Sequence, residues 1–226
     1  MFAPVAAELV SFACVFGCVV RSLLGEGEPL LSLSKFIRVE VTAEKVTFFR
    51  KKAAEKIAKE KWVGRNKELK ALNFVKAWTS EYSWKTQLEE RGILHEWADT
   101  YVGTVEDAPL DFKMWFGGVA KSIGLRSRDV ADLSHWKEVP YPDDRVRTGQ
   151  TERIEDYTIA ASLDFREDQS AEARLYGAIA KAKFIPILGD ACRRLSPNQQ
   201  EYFRLVPLSI FDYDVMISIL DRADRE

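Results

Sequence analysis

The sequence predicts an α/β domain in which a mixed central β-sheet is flanked by helices, and three observations carry that prediction. Apolar residues recur at helical spacing between Thr42 and Tyr82, whereas segments opening at Asp111, Ala120, Asp156 and Ala173 are short, apolar and strand-like. Hydrophobic residues fill 46% of the 226 positions and aromatics 12%, enough side-chain bulk for one well-filled core and too much for a disordered chain. Turn chemistry separates the strand-like runs, most clearly at Gly117-Gly118. The formal charge is −2, so total charge selects no partner. Its distribution is more informative.

Residues 1–35 read as an apolar extension, leaving 36–226 as a single α/β domain. Leu9 to Val20 is uncharged but shorter than the ~20 apolar residues a spanning helix needs. Only Glu8 is charged before it, which argues against a signal peptide. A buried or partner-seeking helix, a weak membrane anchor and a segment outside the domain all remain open, and no stable membrane insertion is expected. Cys14 and Cys18 lie four apart with no companion His or Cys and read as small buried residues. With Cys192 they make three cysteines, the usage of a reducing cytoplasm.

The first strand is expected at FIRVEVT, from Phe36. Thr42 then caps a helix with Glu44 at its second position, carrying Val46, Phe49, Ala53 and Ile57 until Trp62-Val63-Gly64 ends it. A second helix over roughly Asn66–Tyr82 carries Leu69, Leu72, Val75 and Trp78. From Lys45 to Lys76 eleven Lys/Arg face three Glu, a local charge of +8 that leaves −10 for the rest. This is either a solvated surface or a polyanion footprint, in which Lys52, Lys56, Lys59 and Arg65 would meet nucleic-acid phosphates. Glu68 falls in the sector of Ala71, Leu72, Val75 and Trp78, where a carboxylate is costly unless paired. It either meets the first amides of the helix or serves a site as an inward acid.

Glu90-Arg91-Gly92 is a helix stop, and Glu89 to Leu110 reads as a loop in which His95 is structural. Ala108 to Phe116 is expected as a strand, Gly117-Gly118 as its turn and Val119 to Ser127 as the returning strand. On that second strand Ile123 and Leu125 share one face, Ser122, Gly124 and Arg126 the other. Residues 126–155, with two prolines and no sustained periodicity, read as a long loop. Its Arg126, Arg128, Arg145, Arg147 and Arg153 either meet phosphates, with Trp136 and Tyr141 stacking on bases, or pair with Asp129, Asp132, Asp143, Asp144 and Glu155. Asp156–Ser162 and Ala173–Ile179 are core strands, followed by a helix or loop near Lys183-Phe184 and a closing segment from Phe203 to Leu220.

A helix bearing Glu68, a strand beginning at Asp111, a hairpin, and a second strand carrying Gly124-Leu125-Arg126 resemble the layout of the PD-(D/E)XK, or restriction-endonuclease-like, nuclease superfamily. The resemblance spans about 36–226 and implies a restriction-endonuclease-like sheet. It also implies a Mg²⁺- or Mn²⁺-dependent DNA endonuclease of prokaryotic restriction, mobile-element or defence type. On this pattern Glu68, Asp111 and the Leu125 carbonyl would hold the metal, with Glu68, Asp111, Arg126 and Lys121 as the catalytic set. Two departures stand out. Gly124 has no carboxylate where the family places an acid, and Arg126 replaces the usual Lys. A guanidinium stays protonated and cannot act as a base, though it can stabilise phosphate charge. The alternative is a catalytically degenerate nuclease-like domain that binds nucleic acid or a protein partner, and a homodimer is compatible with either. Pro142-Asp143 is set aside as the family's PD pair, because it lies in the loop with no acid-x-Lys strand after it. Dinucleotide, P-loop and nucleophile-elbow motifs are missing, and two His with three scattered Cys exclude a conventional zinc site.

Overall fold

A computed structural model describes residues 35–59, 66–98, 111–130, 137–196 and 201–226, and 35–226 form one compact unit. Leu9–Val20, Cys14, Cys18, Trp62-Val63-Gly64, Arg65, Ala108-Pro109-Leu110, Trp136 and the Arg145 side chain lie outside the described residues. The chain is mixed α/β, and its first strand β1 (Ile37–Val41) puts Val39 and Val41 inward and Arg38 and Glu40 outward, the period of a half-buried strand. Helix α1 (Ala43–Lys59) buries Val46, Phe49, Ala53 and Ile57, the stripe the spacing predicts.

Helix α2 runs from Lys67 to Glu90, a full two turns beyond the expected end. Its second half carries Thr79, Ser80, Ser83 and Thr86, which weaken an apolar pattern. Thr79 Oγ1 donates to Val75 O at 2.7 Å and Ser83 Oγ to Thr79 O at 2.8 Å, so these hydroxyls are buried without loss. The helix then stops at Gly92 in a left-handed conformation, as expected.

Strands β2 (His95–Trp97), β3 (Phe112–Phe116), β4 (Val119–Asp129), β6 (Tyr157–Phe165) and β7 (Ala171–Ala180) join β1 in a sheet of order β1-β7-β6-β4-β3-β2. The expected loop after Gly92 thus contains a short edge strand, whose His95 Nδ1 meets Ile93 O at 2.7 Å. All neighbours are antiparallel except β4 and β6. A parallel neighbour demands a crossover. The stretch after β4 supplies it with β5 (Glu138–Pro142), α3 (Asp143–Arg147) and a 3₁₀ turn (Thr151–Arg153), correcting the expected loop. β5 escapes a pattern reading because EVPYP holds two prolines. It is tolerated at the edge of a second sheet, order β5-β9-β8, formed with β8 (Cys192–Ser196) and β9 (Glu201–Pro207). Helix α4 (Lys181–Asp190) precedes β8, and α5 (Tyr213–Arg222) closes the fold.

The two faces of the large sheet are covered differently. Phe112, Met114, Ile123 and Leu125 share a core with α1, α2 and α5. On the other face Tyr141, Phe184 and Phe211 form a second aromatic cluster, with ring centroids 5.1 and 6.0 Å apart. Gly177 on β7 lets that layer close: a Cβ there would lie 2.6 Å from the Asp212 backbone carbon.

Candidate functional site

Strand alternation fixes the site. With Ile123 and Leu125 in the helix-side core, Gly124, Arg126 and Arg128 must project from the opposite face of β4. β3 pairs only with Val119–Ile123, so β4 beyond Ile123 borders α2 and β5 instead. Here a cleft of about 930 Å³ opens. Lys76, Arg126, Arg128, Arg147, Arg153 and Arg193 line it, against Asp143 and Asp144 as the acids, with Tyr141 and Tyr202 among the aromatics. Lys76 Nζ pairs with Asp129 Oδ2 at 2.5 Å and Arg126 with two acids behind it, and the small positive excess that remains suits an anionic ligand.

Arg126 is the centre of the floor. Its side chain is 14% exposed, and its guanidinium lies 4.9 Å from the Tyr141 ring centroid. Nη2 donates to Glu155 Oε1 at 2.5 Å, while Nη1 donates to Leu125 O at 2.6 Å and approaches Asp111 Oδ2 at 3.5 Å. Asp111 Oδ2 also accepts from Leu125 N at 2.7 Å, and Glu155 Oε2 accepts from Tyr141 OH at 2.9 Å. Burial works to lower the Arg126 pKa, but the charges of Glu155 and Asp111 outweigh it and the guanidinium is held more firmly protonated than usual.

Glu155, wholly buried, is the acid that the sequence offers only as one of several arginine partners and not as a site residue. It sits just before β6 and fills the space above Gly124, where a Cβ would come within 2.6 Å of its Cγ, Cδ and Oε1. A glycine inside a strand signals such a close approach. Gly124 therefore marks where another chain segment delivers a carboxylate.

The other expected site residues divide. Asp111, Leu125 and Arg126 lie together in this cluster. Glu68 is exposed in the first turn of α2, beside the amides that Asn66 caps, and is not the acid of this cluster. Its inward reading fails because the buried stripe runs through Val75, Trp78, Thr79 and Ser83, leaving Leu72 exposed. Lys121 alternates with Arg126 on β4, faces away from the cluster, and approaches Asp156 Oδ1 at 3.6 Å. On α1, Lys52 lies over Trp78 and Lys56 over Phe74, each 4.7 Å from the ring centroid, and Lys59 is exposed. Arg128 and Arg147 line the cleft, where Arg128 Nη1 donates to Glu138 O at 3.0 Å.

The cleft's far wall is built on Asp143, whose side chain is 1% exposed. Arg193 Nε and Arg204 Nε donate to its two oxygens at 2.7 and 2.8 Å. Burial opposes its charge, yet hydrogen bonds from Arg204 and Arg193 hold its pKa below the usual carboxylate value. Asp143, rejected above as a family motif, is thus the anchor for two arginines.

A metal would need the Asp111 and Glu155 carboxylates and the Leu125 carbonyl together. All three already face the Arg126 guanidinium, so the residues as arranged do not fit a resident divalent ion. Among the described residues no group of three or more His, Cys, Asp or Glu gathers to hold a metal. No helix among them is long and apolar enough to cross a membrane. Comparison with family models, with curated proteins and with solved structures finds no match.

Proposed function

We propose that residues 35–226 are a nuclease-like domain of the restriction-endonuclease-like kind that binds DNA through the cationic cleft without cleaving it. The order α2, β3–β4 hairpin and parallel β6, with Asp111 and Arg126 brought together, supports the architectural part of this reading. One observation carries the functional part. The position that would concentrate a metal between two carboxylates and a carbonyl is filled by the protein's own cation, Arg126, at the floor of a cleft rich in arginine. Phosphates would be held by charge, and affinity would fall steeply with salt. The cysteine usage keeps a cytoplasmic setting as the favoured compartment.

An active Mg²⁺-dependent endonuclease is the second reading, favoured by Glu155, which returns a carboxylate to the space Gly124 leaves. It requires the Arg126 guanidinium to leave the oxygens it bonds. The test is anisotropy binding and supercoiled-plasmid cleavage at low salt with Mg²⁺ or Mn²⁺, comparing the wild type, Asp111→Ala and Arg147→Gln. Salt-sensitive binding, weakened about tenfold by Arg147→Gln and accompanied by no cleavage, is the expected result. Metal-dependent nicking lost in Asp111→Ala would replace it with the nuclease reading. Absence of binding would remove nucleic acid.

A further inference from the structure

The face of the large sheet opposite the helix-side core carries a row of arginines that extends outside the cleft. Register places Arg38 opposite Arg174, Arg174 opposite Ser162, and Ser162 opposite Arg128. One row therefore crosses four strands, β1-β7-β6-β4, with three arginines spread over three strand spacings, ~14 Å. Arg128 at its end also lines the cleft, so row and cleft are continuous.

Aromatic groups interleave with the row. The register of β6 and β7 shifts between Ala160 and Ala161, which leaves Tyr176 as an extra residue on β7. Its hydroxyl lies 2.9 Å from Ser162 Oγ on the neighbouring strand, so the ring reaches across the sheet over the buried Ser162. Phe36 packs edge-on to Tyr176 at 5.9 Å, and the Arg174 guanidinium lies 5.5 Å from the Phe36 centroid. Beneath them Glu172, 6% exposed, accepts from Arg174 Nε at 2.6 Å and lies 3.6 Å from Arg38 Nε and 3.1 Å from Arg166 Nη2. One buried acid thus organises three arginines whose own side chains are 27% to 57% exposed. Glu40 and Asp164 are exposed on the same strands, and Glu40 pairs with Arg166 at 2.8 Å; with Glu172 they balance Arg38, Arg166 and Arg174, so Arg128 supplies the row's positive excess.

We infer that this row is a platform for a single-stranded nucleic acid that continues from the cleft over Arg128, Arg174 and Arg38. The inference rests on the proposed cleft reading and names the form of its ligand. Arginines in a line neutralise a backbone. Rings and guanidinium planes on a sheet offer stacking surfaces that only unstacked bases can use, since a duplex keeps its base faces inside.

The experiment measures anisotropy of labelled oligo(dT), short and long, and of a duplex of the longer length, over a salt series. Variants are Arg38→Gln, Tyr176→Leu and the cleft variant Arg147→Gln, with folding checked by circular dichroism. The long single strand is expected to lose about tenfold in affinity with Tyr176→Leu. Arg38→Gln should lower its salt slope by about 1. The short oligomer and the duplex should respond to Arg147→Gln only. Unchanged long-strand binding in both platform variants, with Arg147→Gln still weakening it, overturns the platform and leaves the cleft reading standing. Equal losses for duplex and single strand overturn the choice of ligand. Binding by no oligonucleotide overturns both readings.

Discussion

Two buried carboxylate clusters border the same cleft and are balanced in opposite ways. At Asp143 one acid holds two arginines, Arg193 and Arg204. At Arg126 one arginine holds two acids, Asp111 and Glu155. Where cations outnumber acids, the carboxylate is a scaffold: it ties Arg204, whose Nη1 also donates to the Leu188 and Gly189 carbonyls, to Arg193, which faces the cleft. Where acids outnumber cations, the arginine is a plug, and taking it out would leave a site that needs positive charge. The same residue types thus build an arginine-bearing wall in one place and a closed acidic floor in the other. The ratio separates the two, and neither cluster can be read from a single residue.

Removing the plug should have the largest effect. Arg126→Ala leaves Glu155 buried without its charge partner, and breaking a buried pair from one side costs about 3–5 kcal/mol. Urea unfolding is the measurement, with Arg126→Ala/Glu155→Gln as the companion, expected to recover part of the loss because no lone charge stays behind. Added Mg²⁺ or Mn²⁺ should raise the melting temperature of Arg126→Ala and leave the wild type unmoved. Equal stabilisation of both would mean that Arg126 is not occupying a cation's place, and the contrast between plug and scaffold would collapse.

The scaffold should fail through pH. The Asp143 pKa is depressed, so its contribution is complete above the ordinary aspartate value near 3.9 and is lost as pH falls through the lowered folded value. Asp143→Asn should cost about 1.5–3 kcal/mol at neutral pH, the range for hydrogen bonds to charged groups. The difference from wild type should shrink below about pH 4, as the wild-type carboxyl protonates. Thermal unfolding of both proteins from pH 7 to pH 3 reads this. A constant difference over that range would show that Asp143 acts by shape and not by charge.

How much of this the sequence displays depends on the distance over which a signal acts. The β3–β4 hairpin is legible because Gly117-Gly118 and the Ile123/Leu125 alternation are local, and with it comes the meeting of Asp111 with Leu125 and Arg126. Glu155 is not legible in the same way. It lies 29 residues from Arg126, in a polar stretch, and reaches it because β6 runs parallel to β4. Strand β8, CRRLS, is invisible because its arginines serve the surface, and β5 because prolines mask it. Glu68 misled because a helical wheel gives the direction of a face but not its extent along the axis. The first turn of α2 projects beyond the packed part of the helix.

Gly124 offers the smallest effect and the finest discrimination. Its strand backbone needs no left-handed conformation, so alanine is excluded only by the Glu155 side chain 2.6 Å from where Cβ would stand. That neighbour is a flexible residue in principle, but Arg126 holds one of its oxygens and Tyr141 the other. Gly124→Ala must therefore either press against a pinned carboxylate or push it off its partners, and overpacking of this kind costs about 1–3 kcal/mol. The cost should vanish in a Glu155→Ala background, where the space is empty, and a double-mutant cycle measures that dependence. If Gly124→Ala is equally costly with and without Glu155, the glycine serves the strand alone. If the cost disappears, Gly124 is there to make room for the buried acid before β6, and strand and acid are coupled through that one position.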